Sequence, residues 1–284
     1  MKGNYTVWNG EEWVSQLSPL FPIGNRGFRY GDGAFETIRV VSGRMVFFSE
    51  HIARLRNGVN ILELNCPELD DVFTLNELGL SVLKQNEINK GGRLRIWVVR
   101  AGEGMDHSIE KSVLFFMGAE AYPHNLYPEV SPRKAIVYPN PLLLSSPLTQ
   151  FKSCNRIAYQ MAARYARTRG IDEGLLLNQF GNIGDAVGAN LIYSIDGNWF
   201  TPGSSEGAIP GVLKQWVQNS IPGLITDRPF RIEDISKVNY IFTANVMAGP
   251  VSLVSVQMGD KTFHFPESPM VAKIRKELNK KVKA

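Results

Sequence analysis

Four short stretches of the chain hold side chains whose type and setting can do chemistry. Lys152 sits in "LTQFKSCNR", between a run of leucines and the start of an amphipathic pattern. An amine kept from water there would have a lowered pKa and act as a nucleophile; the plain alternative is a solvated lysine beside a helix cap. Asp185 is the one acid in "NQFGNIGDAVGANLIYS", among glycines, alanines and other small or apolar residues. Either it caps the turn "FGNIGDA", or it holds something that the chain itself does not supply. Arg54 follows His51 by one helical turn in "HIARL" and is a surface residue or an anion ligand. Pro210-Gly211 precedes "VLKQWV", so the first N–H groups of a helix, those of Val212 and Leu213, are available to an anion.

Other chemistries are excluded. The four histidines (His51, His107, His124, His264) show no metal-ligand spacing, so no metal is expected. Cys66 and Cys154 are too few for a disulfide scaffold or a zinc cluster, which favours a reducing, cytoplasmic setting. The net charge of +4 is local: the last fourteen residues, "VAKIRKELNKKVKA", hold six Lys or Arg and one Glu, a balance of +5 that leaves −1 for the rest. A basic terminal helix on a neutral body reads as a solvated face, so no nucleic-acid partner is expected. "MKGNYTVWNG" has no signal-peptide core and no run approaches a membrane span, so no membrane partner is expected either.

The elements that must position these residues follow from periodicity. "YTVWNGEEWVSQ" and "ETIRVVSGRMVFF" read as hairpins turning at Asn9-Gly10 and Ser42-Gly43. "SEHIARLRNGVNIL" reads as a helix with Ser49 as N-cap, and "DVFTLNELGLSVLKQNEI" as a longer one. Strands "RLRIWVVR" and "SVLFFMGA" complete an α+β first half. The proline-rich, aperiodic residues 120–133 read as a linker between domains at 1–119 and 134–284. Beyond it come a strand, "KAIVYP", and a helix, "CNRIAYQMAARYARTRG", with Ile157, Met161 and Tyr165 on one stripe. Then follow "GLLLN", the stretch around Asp185, a hairpin tipped by Asp196-Gly197, the helix after Pro210-Gly211, "YIFTANV", a last strand pair and the basic helix. The fold class is mixed α/β with two domains, the second carrying Lys152.

Taken jointly, these stretches resemble the class IV aminotransferases, the pyridoxal-phosphate enzymes of fold type IV. That group includes branched-chain aminotransferases, D-amino-acid transaminases and aminodeoxychorismate lyases. The resemblance runs from Asn9 to about Val254 through "FRYGDGAFETIRV", "HIARL", "FKSCNR", "DEGLLLNQFGNIGDAVGANLI", "FTP" and "GAIPGV", all in the family's order. It implies a cofactor between the two domains and a homodimer. Lys152 matches the family lysine that forms the internal aldimine and shuttles the α-proton. Arg54 matches the arginine that grips the phosphate, and Gly211, Val212 and Leu213 match the loop whose amides hold it. Many relatives have a phosphate-binding threonine at the position of Leu213, and leucine cannot make that contact. "FTANV" matches a second phosphate-side segment, with Thr243, Ala244 and Asn245 as candidates. Asp185 aligns with a glutamate that pairs with the cofactor's pyridine nitrogen, so the acid type is right and the side chain is one methylene short. Tyr30 and Phe35 match residues near the active site.

The substrate motifs leave the member open. D-amino-acid transaminases hold the substrate carboxylate with an Arg and a His two residues apart, and this chain has Met105 and His107 there. Branched-chain enzymes carry Tyr-x-Arg-Pro where this chain has "RLRIWVV"; the resemblance implies Tyr30, Phe35, Arg95 and His107 as substrate-pocket candidates. The resemblance implies amino transfer between an amino acid and a 2-oxo acid. Two alternatives stand beside it: aminodeoxychorismate lyase activity, which eliminates pyruvate, and a weakly active cofactor-binding homologue.

Overall fold

The computed structural model describes residues 5–18, 22–102, 111–220 and 225–283. The chain divides into two compact units, residues 1–126 with 151–155, and residues 127–150 with 156–284.

The first unit is built on a six-stranded antiparallel sheet. Its elements are β1 (Thr6–Trp8), β2 (Trp13–Ser15), α1 (Arg26–Tyr30), β3 (Gly33–Val41), β4 (Arg44–Met45), α2 (Phe48–Ile61), α3 (Val72–Gln85), β5 (Gly92–Arg100) and β6 (Val113–Ala121). The strand order is β2-β1-β6-β5-β3-β4. The β3–β4 hairpin turns through Ser42 at φ 50° and Gly43 at φ 72°, the left-handed pair that a two-residue turn needs. On β3 the alternate residues Ala34, Ile38 and Val40 enter a core with Ile52 and Leu55 of α2 and Leu75 and Val82 of α3. Glu36 occupies the same phase and is fully buried.

The expected Ser49 cap is displaced. α2 starts after Phe47, which takes the left-handed conformation at φ 57° and makes no side-chain cap. Phe47 and Phe48 are both buried, so core packing rather than a hydroxyl cap sets the start. α3 begins conventionally, with the Asp71 carboxylate accepting the Phe73 N–H at 2.9 Å.

The second unit holds a mixed sheet of nine strands. They are β7 (Arg133–Val137), β8 (Glu173–Leu177), β9 (Ile183–Ala186), β10 (Asn190–Ile195), β11 (Asn198–Thr201), β12 (Ile225–Asp227), β13 (Tyr240–Asn245), β14 (Gly249–Met258) and β15 (Lys261–His264). The order is β12-β11-β10-β13-β14-β7-β8-β9, with β15 pairing β14. Its α-helices among the described residues are α4 (Ile157–Arg167), α5 (Val212–Ser220) and α6 (Pro269–Lys283). Leu175, Ile183, Leu191, Tyr193, Ile241 and Leu253 lie in its main core.

Three expectations change here. The apolar stripe of α4 is not its core-facing side, with Ile157 66% exposed and Met161 38% exposed. Tyr159, Ala162 and Ala166 are buried instead, because β8 admits the helix backbone closely: a Cβ at Gly174 would lie 2.8 Å from the Ala162 carbonyl. The boundary between units falls at Leu126/Tyr127, inside the expected linker, but Phe151–Asn155 group with the first unit, so Lys152 does not belong to the second. In α6 the five lysines are exposed as expected, whereas Arg275 is buried and donates to the Pro250 carbonyl at 2.6 Å.

Candidate functional site

The lysine is placed by strand pairing and by one glycine. Beyond the reach of β4, the start of β3 has an open edge, and residues 152–154 pair with it. The Phe35 N–H donates to the Lys152 carbonyl at 3.0 Å and the Cys154 N–H to the Gly33 carbonyl at 2.9 Å. Ala34 and Ser153 form an antiparallel bridge. Phe151 anchors the segment in the core beside Gly58 of α2, where a Cβ would lie 2.5 Å from the aromatic ring. Gly58 is therefore the slot into which the lysine segment plugs. The Lys152 ammonium lies 4.8 Å from the centroid of the Phe35 ring.

Behind the lysine the first unit buries a charged cluster. Arg54 donates through Nε to Glu36 Oε1 at 2.7 Å and through Nη2 to Oε2 at 2.7 Å. His51 Nδ1 lies 2.8 Å from the same Oε2. Burial works to raise the Glu36 pKa, but Arg54 and then His51 outweigh it and hold the carboxyl well below its usual range. Burial lowers the His51 pKa, with Glu36 opposing. A neutral imidazole then donates its Nδ1 proton to Glu36, and its Nε2 is buried with no hydrogen-bond partner among the described residues. Sequence reasoning singled out Arg54 but not Glu36 or His51 beside it. The available signal was an acid in phase with Ala34, Ile38 and Val40, opposite a His and an Arg spaced one turn apart.

In the second unit the carboxylate is placed by three elements. Asp185 lies on β9, paired with Leu176 of β8, and is only 3% exposed. The loop before α5 packs onto β9 at Gly184, where a Cβ would lie 2.5 Å from the Glu206 carbonyl. That approach brings the Ile209 N–H to 3.3 Å from Asp185 Oδ2. The Tyr159 hydroxyl of α4 donates to the same oxygen at 3.2 Å. Oδ1 accepts from the Ala186 N–H at 3.1 Å and from Asn190 Nδ2 at 3.4 Å. All of these donors are neutral. Burial consequently pushes the Asp185 pKa up to about 6, although the Ile209 N–H and the charge of Arg156 oppose the rise.

Asn190 links this carboxylate to the start of α5. Its Nδ2 also donates to the Ile209 carbonyl at 2.8 Å, and a Cβ at Gly211 would overlap its side chain. α5 then begins at Val212, with the Gln215 N–H donating to the Gly211 carbonyl at 2.9 Å. The helix start thus presents the amides of its first turn and the positive end of its dipole.

The remaining candidates fall in mixed settings. The Tyr30 hydroxyl is buried without a hydrogen-bond partner among the described residues. Arg95 pairs with Glu120 at 3.1 Å. Thr243 and Ala244 are buried on β13. The Asn245 side chain is engaged locally, donating to the Gly188 carbonyl at 2.9 Å and accepting from the Met247 and Ala248 N–H groups at 2.9 and 2.7 Å. Met105 and His107 lie outside the described residues. No group of His, Cys, Asp and Glu among the described residues suits a metal ion.

Comparison with known proteins adds an independent line. The sequence model of the amino-transferase class IV family matches residues 33–256. An aminodeoxychorismate lyase of Vibrio harveyi is 22% identical over 272 residues, covering 94% of this chain and 99% of its own length. A branched-chain aminotransferase of Thermoproteus uzoniensis, solved with norvaline, superposes with a TM-score of 0.87 at 19% identity, covering 99% of this chain and 95% of that one. An aminotransferase of Brucella abortus, solved with bound pyridoxal phosphate, gives 0.84 at 17% identity, covering 99% of this chain and 100% of that one.

Proposed function

The chain belongs to the class IV aminotransferases, and on that premise we propose that it moves an amino group between a small amino acid and a 2-oxo acid, using pyridoxal phosphate. The observation that carries the proposal is Asp185: a buried carboxylate with a raised pKa, whose hydrogen-bond donors among the described residues are all neutral. Such a group gains most from a cation, and a protonated pyridine nitrogen is one. The donor set fits the rest of the cofactor. The amides of Val212 and Leu213 begin a helix and suit a phosphate, and Arg54 adds a guanidinium. Glu36 takes the Nε and Nη2 edge of Arg54.

When bound, the cofactor takes up the electrons released as a substrate loses its α-proton. Lys152 would hold it covalently, and its amine would carry that proton. Asp185 keeps the ring nitrogen protonated. Leu213 offers an amide but no hydroxyl, so phosphate binding leans on Arg54 and the helix start. The backbone pairing of residues 152–154 with β3 fixes where the lysine amine begins its reach. The enzyme acts in the cytoplasm as a homodimer.

A second reading, pyruvate elimination from aminodeoxychorismate, is favoured by the full-length similarity to the Vibrio harveyi lyase. One assay separates the two: 2-oxo acid formation from a panel of amino acids, against pyruvate release from aminodeoxychorismate. Turnover of the panel supports the transferase, and pyruvate release alone replaces it with the lyase. Bound cofactor with neither product reduces the protein to a cofactor-binding homologue. Sedimentation of the purified protein as a monomer would remove the homodimer.

A further inference from the structure

We infer that Tyr159 is a positioning residue, which fixes the charge and the direction of Asp185 toward the ring nitrogen of the cofactor. The inference rests on the proposed pairing of Asp185 with that nitrogen and adds the group that enforces it.

The argument begins with the donors on the carboxylate. Ala186 and Ile209 contribute backbone N–H groups. The Asn190 amide is shared with the Ile209 carbonyl, its shorter partner by 3.4 against 2.8 Å. Among the described residues Tyr159 supplies the only hydroxyl, and it comes from another element, α4. All four contacts run from 3.1 to 3.4 Å, longer than the usual optimum. The carboxylate is therefore oriented without being saturated by a strong bond, and a further donor can still be accepted.

Tyr159 is itself rigidly held. It is 7% exposed and packs with Leu143, Ala162, Leu176 and Ile209. Burial, and then the charge of Asp185, raise its pKa, so the hydroxyl remains a donor across the working range. The Arg156 guanidinium lies 3.2 Å from the centre of its ring. A cation on the face of a phenol draws electron density from the ring and strengthens the hydroxyl as a donor. The same guanidinium favours the charged form of Asp185. Arg156, Tyr159 and Asp185 thus form a relay of polarisation that ends on a carboxylate oxygen.

The consequence concerns one proton. In a pair of carboxylate and pyridinium, the proton resides on nitrogen only while the carboxylate is the weaker base. A hydroxyl on Oδ2 lowers the basicity of Asp185, and its loss shifts the proton from nitrogen to oxygen. A hydrogen bond to a charged group contributes at least a tenfold factor, so the shift should be about one pH unit or more.

The test uses holoenzyme reconstituted with pyridoxal phosphate labelled with nitrogen-15 in the ring, followed by NMR across pH. In the natural protein the ring nitrogen should show the protonated shift near neutrality. In Tyr159→Phe, at equal cofactor occupancy, it should move toward the neutral shift, with kcat reduced and KM nearly unchanged. Replacement of Tyr159 by 3-fluorotyrosine, a stronger donor of nearly the same size, should retain the protonated shift; this arm decides the matter if Tyr159→Phe does not fold. An unchanged nitrogen titration in Tyr159→Phe overturns the positioning role. Asp185→Asn separates the two levels: loss of the protonated shift there but not in Tyr159→Phe leaves the pairing standing without Tyr159. A nitrogen indifferent to Asp185→Asn overturns the pairing itself, and the role of Tyr159 with it.

Discussion

Arg54 and Glu36 meet side-on, Nε and Nη2 each reaching a different carboxylate oxygen at 2.7 Å. The pair is buried, with side-chain exposures of 10% and 1%. Removing Arg54 leaves the buried Glu36 carboxylate without this cationic partner. Arg54→Ala should therefore cost about 3–5 kcal/mol of stability in urea unfolding. It should also weaken pyridoxal phosphate binding by tenfold or more, in line with one lost charge-assisted contact. Full stability together with unchanged affinity would assign Arg54 to neither task.

The same pair sets an acid limit. Glu36 has a folded-state pKa below its unfolded value, so the stability it contributes is present above about pH 4.3, the ordinary glutamate value. That stability is lost as pH falls from there toward the folded-state pKa. Glu36→Gln should flatten this part of the stability profile while lowering stability at neutral pH. An acid limb identical to the natural protein's would show that Glu36 is not depressed.

Asp185 has the opposite sign. Its pKa is raised to about 6 in the folded protein, so the native state binds the proton more tightly than the unfolded chain. The share of stability that Asp185 contributes to the cofactor-free protein should be greatest below about pH 4 and fall as pH rises to about 6. Asp185→Asn should remove this fall, and it should abolish most turnover while leaving cofactor attachment at Lys152 intact. Thermal midpoints across pH, with and without cofactor, test it: loading the natural protein should restore stability near neutrality, and loading Asp185→Asn should restore less. Equal gains in both would detach Asp185 from the cofactor.

Borohydride treatment of the cofactor-loaded protein should fix pyridoxal phosphate on one peptide, at residue 152. A label on any other lysine refutes the assignment.

Gly58 should prove as sensitive as a residue in contact with substrate. Its substitution by Ala drives a methyl group into the Phe151 ring, and overpacking of this kind costs about 1–3 kcal/mol. Because Phe151 adjoins Lys152, a displacement on the order of 1 Å is passed to the amine, and such errors cost roughly a hundredfold in rate. Gly58→Ala with Phe151→Leu should recover part of both losses. If the single variant keeps its turnover, the slot does not govern the lysine.

These residues also mark what the sequence could and could not reveal. Hairpins with paired left-handed turn residues, such as Ser42-Gly43 and Asp196-Gly197, are local features, and local pattern was enough to find them. Asp185 stood out because nothing nearby in sequence could balance it. The stripe on α4 misled because amphipathicity does not say which face can approach a sheet; that depended on Gly174, a residue on another element. Ser49 lost the helix start to Phe47 because burial of two aromatic rings outweighs one hydroxyl cap. Glu36 and His51 stayed hidden, since an acid and an imidazole become a buried cluster only after β3 and α2 are packed together.

The plug at Phe151 bears on the order in which the protein can be made. Residues 127–150 belong to the second unit, yet 151–155 return to the first. A nascent chain that has emerged only to Leu126 has an empty slot beside Gly58 and an uncovered edge at the start of β3. Exposed edges of this kind invite pairing with other chains. The N-terminal unit therefore cannot be finished in its own turn on the ribosome. It waits for a segment synthesised after the first strand of its successor, and a gene cut at the boundary between the units would separate the lock from its key.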